Sequence, residues 1–136
     1  MNPNNYASLE ASKRLVNAGI VLETDAVWIY ARHIPLKGAD RIWKLFDRRS
    51  LMAIEVTEQR PSALIPAPSM AEVWRELSSF ITREWDFANK LILTIKKMPF
   101  GITDCYYGDT TEKLCSNINP TDALIDLLIW VRKEKL

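Results

Sequence analysis

The side chains able to do chemistry are few and far apart. His33 is the single histidine. An imidazole can serve as a general base near neutral pH. A lone one has no second ring with which to share a metal, so a solvated strand-end histidine is the favoured reading. Cys105 and Cys115 are the two cysteines, with nine residues between them. That gap is wider than the roughly two to four residues of a zinc-binding pair. A nucleophilic thiol would need a neighbouring base, and nothing local supplies one. Free thiols in a reducing compartment are expected, not a disulfide. Glu23 and Asp25 stand at i and i+2 ahead of a strand. In extended chain both face one side, which suits paired acid–base work or a cation. Two carboxylates still fall short of a metal's ligand set, so a polar turn is the favoured reading. Asp104 and Asp109, flanking a second hairpin, meet the same objection. Glu72 and Glu76 lie one helical turn apart, but Glu72 already reads as part of a helix cap. With 4 glycines there is no phosphate-cradling loop. No catalytic residue, no metal site and no cofactor are expected; a carboxylate-based hydrolase using Glu23, Asp25, Asp104 or Asp109 is the weakest reading.

Binding chemistry has more to work with. Arg32, Lys37, Arg41, Lys44, Arg48 and Arg49 outnumber Asp40 and Asp47 over one stretch, with Trp43 and Phe46 among them. Cations interleaved with aromatics can form a platform on which single-stranded bases stack. Arg41, Trp43, Lys44, Arg48 and Arg49 are the candidate nucleic-acid contacts. The local charge excess is modest, and a solvated hairpin with inward aromatics competes with this reading. Five tryptophans, Trp28, Trp43, Trp74, Trp85 and Trp130, are many for 136 residues. Large aromatics go chiefly to cores and interfaces. Trp74 and Trp130 are the candidate partner contacts.

The elements that must position these residues can be read from caps and periodicity. The chain has 48% hydrophobic and 26% charged residues, as ordinary globular proteins do, and a formal net charge of +1. No global field argues for nucleic acid or an acidic membrane. A polar start without a basic leader predicts no signal peptide, and no apolar run is long enough to span a bilayer. A single domain is expected. A first helix is expected from about Tyr6 to Ala18, with Asn5 at N-cap. Gly19 and Ile20 complete a Schellman ending onto Leu15. Ala26–Ala31 and Arg41–Phe46 read as a hairpin, and Leu51–Thr57 alternates like a third strand. The three prolines of Arg60–Pro68 exclude a helix interior or a central strand. Ser69 and Glu72 form a capping box for a second helix. That helix ends near Leu77 or runs on through Phe80, Ile81 and Trp85. Lys90–Lys97 and Ile102–Gly108 form a second hairpin around Pro99 and Gly101. The last helix opens with Asn119 at N-cap and Pro120 at N1. Its apolar body, Ala123–Val131, is wider than one stripe, so it must be covered on more than one side, within the fold or in a subunit interface. The order α-β-β-β-α-β-β-α, dominated by hairpins, predicts an α+β fold: an antiparallel sheet of about five strands with three helices packed on it.

Three phrases, Glu10–Thr24, Pro66–Leu77 and Pro120–Lys133, taken as a set, resemble a family of small bacteriophage and prophage proteins. They cover the helical half of the chain, whereas Trp28–Gln59 matches no pattern in the set. The resemblance implies a bacterial host, its cytoplasm and a mobile element. It attaches no activity and no catalytic residue. The sequence therefore favours a small non-enzymatic phage-type protein that works by protein–protein contact or as a homo-oligomer, without a membrane. A nucleic-acid-binding accessory protein is the alternative.

Overall fold

A computed structural model describes residues 5–32, 41–83, 85–109 and 112–134, with the side chains of Arg32 and Arg41 outside that description. The chain falls into two compact units, Met1–Ser69 and Met70–Leu136. The fold is α+β, with a three-stranded and a four-stranded sheet, both antiparallel.

In the first unit, α1 (Leu9–Asn17) begins at Ser8, whose hydroxyl accepts the Ala11 N–H at 3.1 Å. The cap is thus Ser8 and not Asn5. The Schellman ending is as read: Ile20 N–H reaches Leu15 O, Gly19 N–H reaches Val16 O, and Gly19 has φ +76°. The chain then runs extended, burying Ile20, Leu22 and Thr24 and exposing Val21, Glu23 and Asp25. Strands β1 (Ala26–Arg32) and β2 (Arg41–Asp47) form the expected antiparallel pair.

The next element corrects the sequence reading. Leu51–Gln59 is a helix, α2, not a strand. Ser50 Oγ accepts the Ala53 N–H at 3.2 Å, and Pro61 follows the helix end. The buried positions are Ala53 and Val56, three apart, while Leu51 and Ile54 are exposed. The alternation of Met52, Ile54 and Val56 was therefore coincidental. Residues 60–68 include a 3-10 turn at Pro61–Ala63 and an edge strand, β3 (Leu64–Ala67). An edge is the place where Pro66 costs no ladder bond. The sheet order is β2-β1-β3. Val27, Ile29 and Ala31 pack with Ala53 and Val56, joined by Phe46, Ala63 and Leu64.

In the second unit, α3 (Met70–Glu76) stops short and the chain turns into β4 (Phe80–Arg83). The long strand β5 (Asp86–Lys97), then β6 (Thr103–Tyr107) and β7 (Cys115–Asn117), complete a sheet of order β4-β5-β6-β7. The β5–β6 hairpin is as expected. α4 (Pro120–Glu134) is also as read: Asn119 Oδ1 accepts the N–H groups of Thr121 and Asp122 at 2.9 and 3.3 Å. α4 packs against α3, β6 and β7. That burial accounts for its wide apolar body within the unit. Seven strands and four α-helices among the described residues replace the five and three expected.

Candidate functional site

The basic hairpin does not assemble as one platform. Strand alternation sends neighbouring side chains to opposite faces. Lys44 is opposite Ile29, on the face of the α2-packed core, while Trp43 is opposite Tyr30 on the other face. Trp43 stacks on Tyr30 with ring centroids 5.3 Å apart, and Lys13 Nζ of α1 lies 5.4 Å from its ring centroid. Arg48 is spent internally. Its Nε donates to Thr24 O at 2.6 Å and its Nη2 to Thr24 Oγ1 at 3.2 Å. Its backbone N–H also bonds Asp25 O. Arg48 thus clamps the end of β2 to the strand-like lead into β1. Arg49 is exposed, with its N–H on Asp47 Oδ1 and its guanidinium 3.7 Å from that carboxylate. Arg41 is in register with Arg32 at the far end of the pair. His33, Lys37 and Asp40 lie outside the described residues.

The partner-contact candidates also separate. Trp74 on α3 is 47% exposed. Trp130 on α4 is half-buried, on a helix already covered by α3 and the sheet. An ion pair between Glu76 and Arg132, at 3.0 Å, ties those two helices. The most exposed tryptophan is one the sequence reading did not select. Trp85 is 77% exposed, and Phe87 75%. Both belong to the β4–β5 hairpin, where Arg83 is in register with Asp86. Phe80 and Ile92, directly opposite each other on the same hairpin, are also exposed. Cations partly roof this arm: Arg83 Cζ lies 5.3 Å from the Trp85 ring centroid and Lys90 Nζ 4.5 Å from that of Phe80. Arg83 further pairs with Glu112. The arm was missed because Phe80, Ile81 and Trp85 keep helical spacing and no glycine or proline marks the turn.

Glu23 and Asp25 do share the exposed side of their segment. Asp104 is engaged by the Ser116 hydroxyl at 2.6 Å. Among the described residues no three metal-ligating side chains cluster.

The two cysteines, distant in sequence, are brought together. Cys105 on β6 and Cys115 on β7 are register partners, both buried and both free thiols. Hydrogen bonding toward Cys115, then burial, then the Cys115 charge push the Cys105 thiol far up. The same hydrogen bonding holds Cys115 below the usual thiol range, with Lys113 assisting and burial opposing. Nearby, Tyr107 O–H donates to Ser78 O at 2.5 Å, and burial followed by the Cys105 charge pushes it up to about 12.

Compared with family models, curated proteins and solved structures, the chain matches none. No described helix is long and apolar enough to cross a membrane.

Proposed function

We propose that this chain is a small non-enzymatic protein that works by protein–protein contact, with the β4–β5 arm as its contact surface. One observation carries the reading: Trp85 and Phe87 expose about three quarters of their surface together on one hairpin. Burying a large apolar side chain against a partner is worth about 1.5–3 kcal/mol. A two-stranded arm is marginally stable alone and gains from being covered. Trp74, 47% exposed on α3, is a second exposed tryptophan, whereas Trp130 is half-buried. The resemblance of the helical phrases supports a phage-type protein in a bacterial cytoplasm.

Solution mass and nuclease-treated affinity capture from a host lysate, each for wild type and for the pair Trp85→Ser with Phe87→Ser, test this. A larger wild-type mass, or a nuclease-resistant partner, lost in the folded variant supports the reading; indifference of both overturns it.

The alternative is nucleic-acid binding on the Tyr30–Trp43–Lys13 group, where an exposed Tyr30, a half-buried Trp43 and a cation meet. A single-stranded DNA titration at two salt concentrations decides it. Counterion release demands weaker binding at higher salt. Binding that is absent or indifferent to salt removes the alternative.

A further inference from the structure

We propose that Cys105 and Cys115 are a reversible dithiol–disulfide pair, a peroxide-sensitive modification site on the sheet of the second unit. The geometry is that of directly paired residues on adjacent antiparallel strands. Such partners have Cα atoms about 4.5 or 5.5 Å apart and side chains on the same face. Both distances fall inside the roughly 4.4–6.8 Å window that a disulfide spans without backbone movement. Both thiols are free and buried.

The two sulfurs are unequal. Cys115 lies on the edge strand β7, only three residues long, next to Leu114, which is 43% exposed. Cys115 is the nearer of the two to solvent, 4% exposed against 0% for Cys105. The Cys105 thiol and Lys113 both favour its thiolate, while Asp126 of α4 opposes it. Cys105 is fully buried and facing Cys115, with Asp104 and Asp126 also disfavouring its ionisation. Cys115 is therefore the attacking sulfur and Cys105 the resolving one.

With hydrogen peroxide as oxidant the step balances. The Cys115 thiolate attacks one peroxide oxygen, the O–O bond breaks, and the released hydroxide leaves as water with the thiol's proton. Cys115 is then a sulfenic acid. Cys105 sulfur attacks Cys115 Sγ, the S–O bond breaks, and a second water leaves with the Cys105 proton. Two electrons pass from the sulfurs to the peroxide. The S–S bond ties β7 to β6. A dithiol such as dithiothreitol reverses it by exchange, its own thiols becoming the disulfide.

The test uses the full chain, fully reduced and then freed of reductant. It is exposed to hydrogen peroxide, denatured, alkylated with a maleimide and weighed intact. The expected product is a monomer lighter by two hydrogens that takes no label, and takes two after dithiothreitol. Proximity in the fold should make the cross-link outcompete further oxidation of the Cys115 sulfenic acid. Cys105→Ser should leave a sulfenic acid at Cys115 that dimedone traps. Two labels at peroxide levels that oxidise glutathione would overturn the proposal. So would intermolecular dimers, or stepwise addition of oxygen without cross-linking. The wild-type arms decide the matter even if the serine variant does not fold.

Discussion

At the level of single residues, several side chains carry a burden that burial makes legible. Ser12 Oγ and Thr121 Oγ1 are buried without a hydrogen-bond partner among the described residues. A buried orphan hydroxyl costs free energy that an apolar replacement of similar shape does not. Ser12 is also inside a helix, where alanine is the better former. Ser12→Ala should raise stability by about 1 kcal/mol, read from the urea midpoint of matched unfolding curves. Tyr107 gives a pH-dependent case. Its phenol, pushed up to about 12, stays protonated in the fold after the unfolded chain begins to ionise. The folded state then holds the extra proton, so stability is intact below about pH 10 and is lost as pH rises through about 12. Tyr107→Phe should flatten that alkaline decline, at the cost of the bond to Ser78 at neutral pH. Denaturant midpoints taken across this range check both.

At the level of elements, ends matter more than bodies. α2 opens at a Ser50 cap, although its composition reads equally as strand. Ser50→Ala should cost about 1 kcal/mol, because the Ala53 N–H loses its acceptor. A loss of helical ellipticity alongside it would identify the cap as the cause; an unchanged midpoint would refute that role. Gly19 sits at φ +76° in the Schellman ending of α1, with open space where a Cβ would go. Only the left-handed conformation penalises a substitution there. Gly19→Ala should therefore cost about 1–2 kcal/mol in thermal or urea unfolding, without a packing change. Gly108 adds a contact to the same strain, since a Cβ would lie 2.8 Å from Leu91 Cδ2. Gly108→Ala should be the more damaging of the two.

At the level of the whole chain, charge and exposed apolar surface act together. The sequence pI is about 7.7 and the formal net charge +1. Near zero net charge, repulsion no longer opposes association. Self-association measured by light scattering should therefore grow as pH approaches 7.7 from below, and the Trp85→Ser, Phe87→Ser pair should abolish that growth. A variant that still associates would assign the effect elsewhere, for example to exposed Leu51 on α2. Much of the apolar width of α4 is used within the second unit, against α3, β6 and β7.

Sequence alone determined what short-range physics determines. The Asn119–Pro120 start of α4, the glycine ending of α1, both hairpin pairs and the α+β class follow from caps, φ requirements and alternation within a few residues. It misread Leu51–Thr57 because period-2 spacing says nothing about which positions are buried. It left the end of α3 open because Phe80, Ile81 and Trp85 satisfy helix and hairpin alike. Only the tertiary structure decided that Trp130 is half-covered while Trp85 is bare, and that Arg48 closes on Thr24. Only the pairing of β6 with β7 put Cys105 opposite Cys115. Exposure and register are set by contacts between residues far apart in the chain, and local propensity does not contain them.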